Sequence, residues 1–232
     1  MIEIMRESRN IAIVIVDRGC IVMNDQLWNE LNEMIGNSKS EIRRIEGGQA
    51  EGHKVVKKLG LNENTTLAAV ISCFSGLTIG KLIRILGQGN SELQSICEIN
   101  NVVNGIPNTI RGTLIVATDI FGGMYAMNIE AFDAPAGQIF YFAPDTLDWE
   151  PLDMKYSQFL YWALNGDTDK FYDTMKWNGW EQYADMTKFD QGILIYPFLW
   201  SKEVKIETAS KNIVPFVELI NVNMEYRRKF FE

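Results

Sequence analysis

The chain has 232 residues and a net charge of −8, from 22 Lys+Arg against 30 Asp+Glu. A chain of this length removes roughly 70% or more of its unfolded surface from water and needs no staples. The 47% apolar and 11% aromatic residues argue against disorder. The acidic balance argues against a general nucleic-acid binder or an anionic-membrane binder, both of which need a positive field.

Cys20, Cys73 and Cys97 form no CxxC pair. An odd, sparse set predicts small buried apolar residues, without disulfide framework or tetrahedral metal site, in a reducing compartment. The apolar run Ile11–Val16 is six residues long before Asp17 interrupts it. A signal peptide wants a longer stretch, and a membrane helix wants about twenty residues. The expectation is therefore a cytoplasmic protein with no membrane contact. The whole chain, 1–232, reads as a single domain in which residues 1–25 are unassigned.

In chain order, Leu27, Trp28, Leu31, Met34 and Ile35 share one helical face. Asn24 or Asp25 is placed to cap the first turn, and Gly36 stands where a left-handed C-cap is needed. A connector, Lys39 to Glu51, leads to a shorter helix around Val55, Val56 and Leu59, closed by Gly60. Thr65 to Phe74 and Leu77 to Leu86 are apolar and β-branched around Ser75-Gly76, a hairpin-like signal. Gly87-Gln88-Gly89-Asn90 breaks that pattern, and Asn100 to Gly112 has loop composition.

The clearest strands are Thr113–Ala117, Met124–Asn128 and Gln138–Phe142, joined by short loops holding Gly122-Gly123 and Gly137. Such neighbours are antiparallel by default. Pro144-Asp145 ends the third strand. Helical spacing then returns at Phe159, Leu160, Ala163 and Leu164, followed by a short helix from Asp167 through Met175 capped by Asp167 or Thr168. Gly192–Tyr196 reads as one more strand. Pro215 falls in the first turn of a last helix that ends in Arg227-Arg228-Lys229, both favourable places relative to the helix dipole. The sum is α+β: a central antiparallel meander with helices at both chain ends.

Bond-making machinery is hard to find. His53 is the one histidine, and no HxH, HExxH or calcium-loop spacing occurs, so no metal and no cofactor are expected. A nucleophile elbow is missing, and Gly87-Gln88-Gly89 is half of a dinucleotide fingerprint without its third glycine. Asp145, Asp148, Glu150 and Asp153 cluster after the third strand, and Asp167, Asp169 and Asp173 follow. Two such carboxylates could divide acid and base work, but caps and solvated surface are the simpler reading. Five tryptophans, Trp149, Trp162, Trp177, Trp180 and Trp200, crowd the C-terminal half without the interleaved cations of a base-stacking platform. They read as core and protein contact.

The strings LIVATDIFGGMYAMN, APDTLDWEPL and FLYWALNGD, with GKLIRILGQG and DQGILIYPFLW, resemble the bacterial domain-of-unknown-function family 2625 over most of residues 59–231. Residues 113–175 are the most diagnostic. At one remove, the order Asp119, Gly122, Gly123, Tyr125, Phe159, Leu160 resembles the SUKH superfamily. That resemblance implies a non-enzymatic α+β binding domain, of the kind that neutralises a toxin such as a nuclease by direct contact.

A net charge of −8 would favour a basic partner. The expected contact face is Asp119, Phe121, Gly122, Gly123, Tyr125, Asp145, Asp148 and Trp149. Against this, Asp119 alone suffices to organise the Gly122-Gly123 turn through backbone amides. Two other readings stay open: a small-molecule binder or hydrolase with carboxylates near Asp145 and Glu150, and an interaction protein with no toxin.

Overall fold

A computed structural model describes residues 25–106 and 110–231. Helix α1 (Asp25–Gly36) is followed by strand β1 (Ile42–Glu46), helices α2 (Gln49–Lys58) and α3 (Thr66–Cys73), strands β2 (Phe74–Ile79) and β3 (Ile83–Leu86), and helix α4 (Ile96–Gly105). Strands β4 (Thr113–Asp119), β5 (Met124–Asn128), β6 (Gln138–Ala143) and β7 (Asp148–Lys155) lead to helices α5 (Tyr156–Asn165), α6 (Thr168–Phe171) and α7 (Trp180–Met186). Strands β8 (Gln191–Tyr196) and β9 (Ser210–Pro215) precede the C-terminal helix α8 (Phe216–Phe231).

Strands β1 to β7 form one antiparallel sheet in strict sequence order, and β8 and β9 form a separate hairpin. The fold is α+β with a meander, as the sequence predicts. Strands β2 to β6 are buried at nearly every position, not at alternate ones. Both faces of the sheet's centre are therefore covered, which is why period-2 alternation is weak there. The edges β1 and β7 show the exposed positions instead. Helices α1, α2, α3 and α5 pack on one another, while α8 packs on α4 and the β8–β9 hairpin.

Several expectations are corrected. The run from Thr65 is a helix: the Thr65 hydroxyl accepts from the Ala68 N–H at 3.2 Å and caps α3, and the strand begins only at Phe74. The β2–β3 turn is Gly80-Lys81, both at positive φ, not Ser75-Gly76. Positive φ at both central residues gives the twist that a tight hairpin needs. The connector 39–51 carries the edge strand β1. The "loop" 100–112 holds most of α4, nucleated by a Ser95–Glu98 capping box and tied to the sheet by Asn100, whose amide bonds the Ile115 backbone. Strand β7 follows the turn 144–147, where the sequence predicted a change to helical spacing. Pro215 ends β9, one residue ahead of α8, and Gly36 closes α1 without a left-handed conformation. Gly60, at φ +64, does adopt one, and Asp167 is the cap of α6. Ile11–Val16, Cys20 and Asn24 lie outside the described residues.

Candidate functional site

Asp119 ends β4, where the chain turns through Ile120, Phe121 and Gly122 toward β5. Its Oδ1 accepts from the backbone N–H of Phe121 at 2.8 Å and of Gly123 at 2.9 Å. Its Oδ2 accepts from the hydroxyls of Tyr141 at 2.8 Å and Tyr172 at 3.2 Å. Tyr125 shares a hydroxyl–hydroxyl bond with Tyr172 and packs on the rings of Tyr141 and Phe159. Burial pushes the Asp119 carboxyl above the ordinary aspartate value, against the pull of those four donors. Burial, then the Asp119 charge, pushes the three phenols well above theirs, so they stay protonated and keep donating.

The double glycine is a steric requirement of this cluster. A Cβ on Gly123 would overlap Asp119 Oδ2 and Tyr141 Oη, and Gly122 sits at φ +94 beneath Leu219 of α8. The turn is then roofed over: Ile193 N–H donates to the Ile120 carbonyl at 2.6 Å and Asn223 reaches the Gly122 carbonyl at 3.4 Å. Asp119, Phe121, Gly122, Gly123 and Tyr125 are consequently all buried, with Asp119 at 0% exposure. Expected on a contact face, they form an internal latch; Asp119 has the backbone-organising role.

Among the described residues, Arg84 is the other fully buried charge, 2% exposed on β3. Its Nη2 donates to the Lys188 carbonyl at 3.0 Å, and its Nη1 has no hydrogen-bond partner among the described residues. Burial pulls its pKa down to about 10, with Asp119, Asp190 and Tyr172 acting against that, so the guanidinium stays charged at neutral pH. The sequence does carry a signal for it: a charged residue inside Leu82-Ile83-Arg84-Ile85-Leu86 has to be explained by what surrounds it once folded.

Arg84 lines a cleft of about 710 Å³ between the β1–β3 end of the sheet and the α7–β8 connection. Four cations and four carboxylates line it, and one pair is already committed, Lys81 to Asp185 at 2.7 Å. Phe189 closes one side by lying against Gly76, where a Cβ would approach its ring to 2.8 Å.

A second feature is a surface. Phe198 and Trp200 stack at 4.5 Å, Tyr226 contacts both, and Tyr196 and Phe230 extend the group at each end. Tyr196, Phe230 and Phe231 are 59%, 58% and 59% exposed. On the same helix end, Arg227 lies over the Phe231 ring and reaches Asp148 at 3.6 Å. Of the remaining predicted contact residues, Asp148 is exposed beside this group, with Pro144 next to Phe198 and Trp200, whereas Asp145 and Trp149 are half-buried and the Trp149 ring packs on Phe132 and Phe142. The sequence reading singled out Trp200 but missed Tyr196, Phe198, Tyr226 and Phe230; the i, i+4 spacing of the last two was the available signal.

The remaining candidates are structural. His53 is half-exposed on α2, 3.5 Å from Glu63. Cys73 and Cys97 are buried, and burial, then Glu46, pushes the Cys73 thiol up to about 12, far from a reactive thiolate. The Gly87–Asn90 stretch is a turn whose Gln88 amide donates to the Ile71 carbonyl at 3.0 Å. Asp145 is half-buried and Glu150 exposed on the edge strand. Among the described residues, no group of three or more His, Cys, Asp or Glu is placed to hold a metal ion, and no helix is long and apolar enough to cross a membrane.

The "Putative uncharacterized protein YbfG" of Escherichia coli (strain K12) is 34% identical over 213 residues, covering 89% of this chain and 94% of that protein. An "Uncharacterized protein" of Haemophilus influenzae (strain ATCC 51907 / DSM 11121 / KW20 / Rd) is 25% identical over 209 residues, 88% of this chain and 89% of that one. The family model matches residues 19–219, a span that starts earlier than the motif strings and stops within the first turn of α8. The chain belongs to the family described as "Protein of unknown function DUF2625".

Proposed function

We propose that this protein is a non-enzymatic binding module that grips another protein through the aromatic surface at the end of α8. The observation that carries the reading is the continuous group Tyr196, Phe198, Trp200, Tyr226 and Phe230, flanked by the Arg227–Asp148 pair. Tyr, Trp and Arg dominate binding hot spots because they supply large, stiff contact area with a polar handle. Tyr196 and Phe230 are exposed and Phe198, Trp200 and Tyr226 half-buried between them, and such a grouped apolar patch, unlike scattered single residues, marks an interaction site. The whole-molecule charge of −8 favours a basic partner by long-range steering. A toxin of the nuclease class is such a partner, and the SUKH-like order from Asp119 to Leu160 supports that choice.

The test is retention of a partner. Native chain incubated with extract of its host should keep one protein in stoichiometric amount through gel filtration. The double variant Tyr196→Ala/Phe230→Ala should lose it while keeping its circular-dichroism spectrum. Equal retention by the variant, or no stoichiometric partner at all, would remove the support for this reading.

A further inference from the structure

The cleft beside Arg84 is separate from the aromatic surface and has the features of a ligand site. Its volume, about 710 Å³, falls in the range of small-molecule pockets. Arg84 is the one charged lining residue that is fully buried, and it keeps an unused donor, Nη1. A buried donor without an acceptor is costly, and a planar guanidinium is shaped to receive a carboxylate on two parallel N–H groups. A purely anionic ligand is disfavoured, because Glu41, Glu92 and Asp190 line the same space as Arg43, Arg84 and Lys188. A purely cationic one meets the opposite objection. With Lys81 and Asp185 tied to each other, three cations and three carboxylates are left for a ligand, and charges of both signs on one small molecule satisfy that set.

We infer that the cleft binds a small zwitterion, a free amino acid or a short peptide, with the ligand carboxylate on Arg84 and its ammonium group toward Asp190. Calorimetric titration of the full chain tests this with four probes: L-alanine, L-alanyl-alanyl-alanine, acetate and methylamine. Saturable binding of either zwitterion, at least tenfold tighter than acetate and methylamine, is expected, and the tighter of the two assigns the source as amino acid or peptide. Asp190 is exposed, so Asp190→Asn should fold normally and weaken that binding about tenfold. Arg84→Met should abolish it, and Asp190→Asn carries the test if the Arg84 variant fails to fold. The inference is overturned if neither zwitterion gives a saturable signal at millimolar concentration, if acetate binds as tightly, or if Asp190→Asn binds like the native chain.

Discussion

Asp119 shows how a single residue type becomes indispensable through its neighbours. A buried carboxylate is expensive unless its lone pairs are filled, and here two backbone amides and two phenols fill them. Removing one donor should be felt: Tyr141→Phe is expected to lose about 2 kcal/mol in urea unfolding, the size of a hydrogen bond to a charged group. Gly123→Ala should cost more, roughly 3 kcal/mol, because its methyl overlaps both Asp119 and Tyr141 and neither is free to move in a packed core. A Gly123→Ala protein as stable as the native one would contradict the latch. The glycine pair and the aspartate were legible in the sequence as a turn. Their burial was not, because the covering residues, Ile193, Leu219 and Asn223, come 70 or more positions later in the chain.

Among the elements, α4 depends most visibly on its first turn. Glu98 accepts from the Ser95 N–H at 2.6 Å and hydroxyl at 2.8 Å, and the Ser95 hydroxyl in turn accepts from the Glu98 N–H at 3.2 Å. Ser95→Ala should therefore destabilise the protein by about 1 kcal/mol. The two Ser95 bonds hold the Glu98 carboxyl below its ordinary value of 4.5. A depressed folded value means a contribution fully present above the unfolded pKa and lost as pH falls through the folded one. The stability gap between native and Glu98→Gln proteins should thus be open near neutral pH and close in acid, and a gap constant down to about pH 3 would exclude this role. The Asn and Gly content of 100–112 predicted a loop there; the Ser95–Glu98 spacing was an unused signal for the helix. The edge strands pose another problem, unpaired backbone groups, and the chain blunts it with Arg43 and Arg44 on β1 and Pro151 on β7.

At the scale of the whole molecule, the β8–β9 hairpin and α8 close over the β4–β5 turn and place their aromatic residues beside the start of β7. Two chain segments 79 residues apart thereby contribute to one surface, Asp148 from one side and Arg227 from the other. If steering by the net charge of −8 assists the partner, the association rate should fall steeply as salt is raised, while the dissociation rate changes little. Stopped-flow mixing at low and high salt reads both. A salt-independent on-rate would assign the attraction to the aromatic patch alone.

The sequence by itself determined the element types with strong local signals: α1, α2, the β4–β5–β6 meander, α5, β8 and α8. Periodicity, caps and glycine turns are short-range properties, readable within about a dozen residues. Only the tertiary structure decided that the Asp119 turn faces inward, that Arg84 lines a cleft, and that Tyr196 and Phe230 stay exposed. Burial depends on which distant segment covers a residue, and the same aspartate or aromatic side chain serves as core or contact according to that cover.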